Sequence, residues 1–250
     1  MRIITAPARK MKEDDSLPFT DLPVFLKETE EIKETIDALD YEGKKRVWEC
    51  GDRIAHENID RFAHMNLYSA LTPAILSYDG IQYAYMAPEA FDEAEFQYVQ
   101  KHLRILSGFY GVLKPMDGVA PYRLEIKAKL SVNGCKDLYA YWGNKLYEEV
   151  RDESHVIVNL ASKEYSRAMK PYLKSEDTYL TCVFGVNEGG KVVQKGVYAK
   201  MARGMMIRWM AEHQIEDYHD LKLFDEASYA YSEKHSDENH YVFLKNPEDS

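Results

Sequence analysis

Val156-Ile-Val-Asn-Leu-Ala-Ser-Lys-Glu-Tyr-Ser-Arg-Ala-Met-Lys-Pro171 changes its periodicity halfway along. The apolar run His155–Leu160 reads as a buried strand, and the stretch from Ser162 to Met169 reads as a helix with Ser162 as its N-cap. A strand delivered straight into a helix belongs to a chain that mixes the two element types in one core. At the junction, free backbone N–H groups and the positive end of the helix dipole point outward together, which makes an intrinsic anion site. Along the helix Lys163, Arg167 and Lys170 recur at i, i+4 and i+7 as one cationic stripe, with Tyr165, Met169 and Tyr172 on another face. Like charges at i,i+4 cost only about 0.2–0.5 kcal/mol per pair, so a plain solvated face is the alternative reading.

Working outward from this junction, the alternation of types continues. Thr178–Val186 and Lys191–Tyr198 read as a β-hairpin across Asn187-Glu-Gly-Gly190, and Lys200–His213 as a helix. Glu226–Ser232 and His240–Leu244 suggest a terminal hairpin with a polar tip. On the N-terminal side, Asp137–Val150 reads as a helix, Tyr122–Ile126 as a strand, 107–121 as irregular and Asp92–Leu106 as a long amphipathic helix. Ala74–Tyr78 looks like a strand before the Asp79-Gly80 turn signal, and Asp21–His64 like a cluster of helices broken at Gly43 and Gly51. Arg2–Ala6 is a short buried strand ended by Pro7, whose ring interrupts a ladder. No repeat or low-complexity linker divides the chain, so residues 1–250 are expected to form one compact domain of the α+β (mixed α/β) class and not a clean βαβ succession.

Composition narrows the function. The 250 residues are 45% hydrophobic, enough for a substantial core. The N-terminus carries no apolar signal-peptide stretch and no apolar run is long enough to span a bilayer, so a cytoplasmic protein with no membrane partner is expected. Cys50, Cys135 and Cys182 are too scattered for a disulfide framework or a metal knuckle. No Walker A loop, GxGxxG, HExxH or GxSxG occurs, and His235 and His240 fall at a hairpin tip, so neither a cofactor nor a metal is indicated. The net charge of −10 argues against a nucleic-acid partner until its distribution is counted. Residues 101–210 hold 18 lysines and arginines against 11 acidic residues, whereas the remainder holds 14 against 31. A basic centre between acidic flanks is what a localised anion site would leave in a sequence.

Two further stretches could carry chemistry. In Leu106-Ser-Gly-Phe-Tyr-Gly-Val-Leu-Lys-Pro-Met-Asp117, Gly108 and Gly111 could bring backbone N–H groups close to a phosphate beside Lys114 and Arg123. The segment is loosely similar to a helix-hairpin-helix DNA-binding element, and a helix C-cap with a tight turn is the alternative. In Gly196–Trp209 the residues Met201, Met205 and Trp209 form an apolar stripe, and Lys200, Arg203 and Gly204 share an adjoining face, where the glycine would admit a phosphate or a neighbouring backbone. Tyrosines throughout the basic centre could stack on bases or belong to the core. Glu125, Asn159, Ser162, Glu164 and Tyr165 supply the carboxylates and donors that acid/base chemistry on a nucleotide-like base would use.

Five blocks carry a resemblance in order and spacing: Pro7-Ala8, Leu106–Glu125, Lys136–Gly143, Asn159–Tyr165 and Tyr198–Gly204. Through them the sequence resembles the YaaA family of bacterial peroxide-stress proteins over essentially its whole length. The resemblance implies a single compact α/β fold with a cleft, a helix-hairpin-helix-like element near residues 106–123, DNA binding, and protection against hydrogen peroxide linked to limiting free intracellular iron. Carried over residue by residue, it places Lys114, Arg123, Lys170, Lys200 and Arg203 at basic positions of the cleft. Arg9 stands where relatives often have lysine and is followed by Lys10, and Lys163 stands where a relative has aspartate. The expected partner is the DNA phosphate backbone, read with little sequence preference; an enzyme acting on a nucleotide or nucleobase in the same cleft is the rival.

Overall fold

The computed structural model describes residues 1–246; the last four residues of the expected domain, 247–250, lie outside the described residues. Its centre is the four-residue strand β1 (Arg2–Thr5), hydrogen-bonded on both edges. The other strands of the eight-stranded sheet are β2 (Leu103–Ser107), β3 (Gly111–Leu113), β4 (Val156–Leu160), β5 (Thr178–Glu188), β6 (Lys191–Val193), β7 (Tyr229–Tyr231) and β8 (His240–Lys245). Their order is β7-β8-β5-β4-β1-β2-β3, with β6 paired to β5. The five strands β8, β5, β4, β1 and β2 run parallel, and β7, β6 and β3 add antiparallel pairs. Ile3 and Ile4 point to opposite faces of β1 and both are fully buried, so both faces of the sheet are covered. That coverage explains why the central strands are unbroken apolar runs without alternation.

Nine helices matter below: α1 (Leu26–Asp37), α2 (Tyr41–Trp48), α3 (Asp52–His64), α4 (Ile81–Met86), α5 (Glu93–His102), α6 (Leu138–Trp142), α7 (Lys145–Val150), α8 (Lys163–Ser166) and α9 (Gly196–Glu212). The expected strands Arg2–Ala6 and His155–Leu160, the hairpin around 187–190 and the terminal hairpin are all present within a residue or a few. Gly51 is a break, as the N-cap of α3, but Gly43 lies inside α2 as the donor to its Asp40 cap. The second strand of the 187–190 hairpin stops at Val193, and Gly196 opens α9 four residues before its expected start. Asp137–Val150 is two helices, broken at Gly143 with φ of 51°.

Four expectations are corrected. Ala74–Ser77 is a helical turn and not a strand, because it is wholly buried and its apolar run carries no alternation to set the type. The long helix over 92–106 ends at His102, since Leu103–Ser107 is recruited as the parallel neighbour of β1. Tyr122–Ile126 alternates in burial as a strand would, yet it pairs with no strand among the described residues. The helix-hairpin-helix-like element over 106–123 is instead the β2–β3 hairpin, with Leu106 opposite Val112 and Ser107 opposite Gly111.

The glycines of that hairpin serve packing. A Cβ at Gly108 would stand 2.7 Å from both the Leu124 carbonyl oxygen and the Ile126 nitrogen, and one at Gly111 would meet the Trp142 ring. Both residues are buried, so neither offers an amide to a phosphate. Gly204 has the same character: α9 crosses α4 so closely that a Cβ there would collide with the Gln82 carbonyl oxygen and lie 2.9 Å from the Met86 nitrogen. Gly204→Ala is therefore expected to lower stability by roughly 1–3 kcal/mol, as overpacking does, measured by denaturant unfolding. Gly190→Ala, with open space around its Cβ, reports the separate cost of a positive φ.

One buried carboxyl gives the fold a pH dependence. Asp117 is almost fully buried, accepting a hydrogen bond from the Lys114 nitrogen at 2.8 Å, and burial raises its pKa to about 7. A carboxyl raised above its unfolded value contributes stability that is complete below that value and lost as pH climbs toward 7. The wild-type chain is expected to gain on the order of a few kcal/mol from this group between pH 8 and pH 4, and Asp117→Asn to remove that part of the gain. Identical pH profiles for the two proteins would contradict it.

Candidate functional site

Strand β1 is the point where the sheet changes direction. The chain runs from β1 to β2 and β3 on one side, then returns to place β4, β5 and β8 on the other. In open parallel sheets the exits of the two strands at such a reversal diverge and leave a crevice beyond their carboxyl ends. Here Thr5 is level with Leu160, so Ala6-Pro7-Ala8 and Ala161-Ser162 leave the sheet side by side. A cleft of about 860 Å³ opens there.

Three segments enclose it. The floor is Ala6–Lys10 with Ser162, Glu164 and Tyr165. One wall is the start of α4 with Lys200 and Arg203 of α9, and the other is Glu125-Ile126-Lys127. The Tyr83 hydroxyl donates to the Ala6 carbonyl at 3.0 Å, and Gln82 Nε2 donates to Thr5 Oγ1, tying α4 to the strand exit. Gly108 sets the second wall, because its missing Cβ lets residues 124–126 lie against the β2–β3 turn. Beneath it the Tyr122 hydroxyl bonds Ser107 Oγ at 2.6 Å and the Tyr78 hydroxyl at 2.9 Å.

Across the mouth Arg9 makes a two-pronged ion pair with Glu125, Nη2 to Oε2 at 3.0 Å, which holds its guanidinium above the ordinary pKa. Lys127 lies 3.5 Å from both Glu125 and Glu49. The amide of Glu164 and the Ser162 hydroxyl hold the Glu164 carboxyl below its usual range, while burial holds the Tyr165 hydroxyl far above its own. Arg203 has no such partner. Its Nε is sealed from solvent and makes no hydrogen bond, and burial lowers its pKa.

A second cavity of about 620 Å³ adjoins the first and shares Lys127 and Glu164 with it. Lys129, Lys136, Lys163 and Arg167 line it, with the Arg167 guanidinium 5.0 Å above the Tyr139 ring. Among the described residues these four cations stand in no ion pair. Together the two cavities present nine cationic and four acidic side chains on a chain of net charge −10.

The expected residues thus divide. Arg9, Lys10, Glu125, Ser162, Glu164, Tyr165, Lys200 and Arg203 line the cleft, and Lys163 and Arg167 its extension. Arg123 sits beside the cleft in a small side pocket with its Nε donating to the Trp48 carbonyl at 3.1 Å. Lys114 follows β3, which runs antiparallel to β2, and so lies toward the opposite end of the sheet. Lys170 lies over Tyr179 at the start of β5, also away from the cleft. Asn159 is buried in structural bonds, donating to Thr181 Oγ1 at 3.3 Å and accepting from the Ala161 nitrogen at 3.0 Å. The helix after Ser162 is a single α-turn, and no side-chain cap bond forms. Lys163, Arg167 and Lys170 are exposed and Tyr165 and Met169 are buried, but Tyr172, expected with the latter two, is exposed, because the α-turn has ended before it. On α9 the most deeply buried methionines are Met206 and Met210, and Met201 and Met205 are half-buried. Lys127 and Lys129 are the members that no motif flagged, because they lie in irregular chain where periodicity gives no signal, and Lys136 opens the Lys136–Gly143 block without having been singled out as a site residue.

The fold and crevice define an α/β protein with a cleft at the reversal point of a mainly parallel sheet. The chain belongs to the peroxide stress protein YaaA family, whose signature matches residues 1–235. UPF0246 proteins of Lachnoclostridium phytofermentans and Agathobacter rectalis are both 50% identical to it, over 98% and 97% of this chain and 96% and 98% of their own lengths. A UPF0246 protein of Desulfitobacterium hafniense is 48% identical over 98% of both chains. Among the described residues no helix is long and apolar enough to cross a membrane.

The exposed Arg9–Glu125 pair allows a separation of stability from function. Glu125→Ala is expected to change unfolding free energy by less than about 1 kcal/mol, as solvent-screened pairs do. A loss of several kcal/mol would mean that Glu125 holds the wall together.

Proposed function

We propose that this chain is a peroxide-stress protein that binds DNA along the cleft and its extension, through phosphates and with little sequence preference. The single observation that supports the reading is the pooling of nine cations, four of them unpaired in the extension, on one face of an acidic chain. Phosphate binding draws its affinity from counterion release, which rewards a local cluster whatever the net charge. A cleft of about 860 Å³ has the size of a nucleotide site and not of a duplex channel, so the account favours an unpaired strand. In this reading protection follows from shelter or repair of DNA under peroxide, linked to the limiting of free intracellular iron.

Binding should weaken steeply with salt. With roughly four to six phosphates neutralised, affinity is expected to fall about a hundredfold or more between 50 and 200 mM salt. Lys163→Ala with Arg167→Ala should flatten the logarithmic slope by about two units, whereas Lys222→Ala with Lys245→Ala should leave it nearly unchanged. Lys222 lies over Tyr231 and Tyr241, and Lys245 over Tyr198, and neither lines either cavity. Equal effects of the two pairs would reduce the interaction to net charge.

In cells, deletion is expected to sensitise the host to hydrogen peroxide, and an iron chelator to relieve that sensitivity. Unchanged survival across a peroxide titration would remove the stress role. A second reading, an enzyme acting on a nucleotide, is favoured by the placement of Glu125, Glu164 and Tyr165 in one cleft. It takes precedence if Glu164→Gln abolishes protection while DNA affinity is unchanged.

A further inference from the structure

We infer that the inner wall of the cleft is a receptor for one terminal phosphate, built on Arg203 and Lys200, so that the unit admitted is a phosphorylated nucleotide or strand end. The inference rests on the nucleic-acid reading above and sharpens it.

Arg203 is the anchor. A guanidinium nitrogen withdrawn from water is ordinarily stabilised by a carboxylate or another acceptor, because leaving it unpaired costs about 1–3 kcal/mol. Arg203 has neither: its Nε is buried without a partner, and no hydrogen bond or ion pair from the side chain is formed among the described residues. Its titratable neighbours do not neutralise it. Cys182 is a buried thiol pushed up to about 12 by burial, hence uncharged, and Glu164 across the floor makes no ion pair with it. An acceptor-rich anion entering the cleft would meet the two terminal nitrogens of Arg203, which are not sealed as its Nε is.

Two features select a phosphate monoester. Lys200 precedes Arg203 by one helical turn, so the two cations share a face of α9 and both line the cleft, matching a dianion. The planar guanidinium donates two parallel bonds to tetrahedral phosphate oxygens, a geometry that a point charge cannot reproduce. The receptor is also rigid, since Ala202 is fully buried and Gly204 is pressed against the Gln82 carbonyl. Rigid placement lowers the ordering cost of binding. A phosphodiester within a strand carries one charge and two bulky substituents, so it suits the open groove of Lys129, Lys136, Lys163 and Arg167 better than this enclosed wall.

The test uses the full chain and single-stranded oligonucleotides of about ten nucleotides in three forms: 5′-phosphorylated, 3′-phosphorylated and unphosphorylated. One phosphorylated form is expected to bind about tenfold more tightly than the unphosphorylated one, and the identity of that form tells which end is held. Arg203→Met should reduce the ratio to about one by weakening the phosphorylated form more than the unphosphorylated one, and Arg203→Lys should restore only part of the ratio. Lys163→Ala with Arg167→Ala should weaken all three forms and leave the ratio intact. A ratio near one in the wild type, or a ratio kept by Arg203→Met, overturns the receptor. If no oligonucleotide binds, the nucleic-acid reading fails, and thermal shift with deoxyadenosine monophosphate against deoxyadenosine still decides the receptor: a shift given by the monophosphate alone and lost in Arg203→Met supports it, and equal shifts or none overturn it. Should Arg203→Met not fold, Lys200→Met, at an exposed position, carries the same comparison and the same two outcomes.

Discussion

Parallel pairing of Arg2–Thr5 on both of its edges is the constraint from which the rest of the structure follows. A strand of four residues cannot hold a sheet by its own hydrogen bonds; it is held because Ile3, Ile4 and Thr5 are completely buried between layers. Its two neighbours come from positions about 100 and 155 residues away along the chain. That topology makes its carboxyl end the reversal point of the sheet. Pro7 then enforces the exit, since it cannot extend the ladder. The cleft is a geometric result of this pairing, before any side chain in it is considered.

What makes the cleft chemically distinct is brought by close backbone contacts at two glycines. Gly204 lets α9 settle onto α4, which fixes Lys200 and Arg203 in one wall; Gly108 lets residues 124–126 settle onto the β2–β3 turn, which fixes Glu125 and Lys127 in the other. These glycines act on a ligand only through the walls they position. The site separates its charges: Arg9 and Lys127 are balanced by Glu125 and Glu49 at the mouth, while Arg203 is left without an ion pair inside and four cations are left unpaired in the extension.

The elements legible in the sequence were those whose local signal agrees with their final environment. Buried parallel strands read directly as apolar runs, and the Asn187–Gly190 turn and the outward stripe of Lys163 and Arg167 were visible from turn chemistry and period. Elements decided by distant pairing were not. Leu103–Ser107 continues the pattern of the preceding helix and becomes a strand because β1 needs a neighbour; Tyr122–Ile126 alternates correctly but is fixed by Gly108 and by tyrosine hydroxyls, not by a ladder. Of the basic positions carried over by resemblance, Lys200 and Arg203 reach the cleft and Lys114 and Lys170 do not, since direction along a strand decides which end of a sheet a residue occupies. Lys127 and Lys129 contributed to the local excess of positive charge without any motif to single them out.

The central claim is that one continuous surface, from Lys200 through Lys127 to Lys163, meets the nucleic acid. Lysine-reactivity footprinting by mass spectrometry, with and without saturating single-stranded DNA, tests it most directly. The account predicts slowed modification at Lys127, Lys129, Lys136, Lys163 and Lys200, with Lys114 and Lys170 modified at unchanged rates. Uniform protection of all these lysines, or protection confined to Lys114 and Lys170, would contradict it.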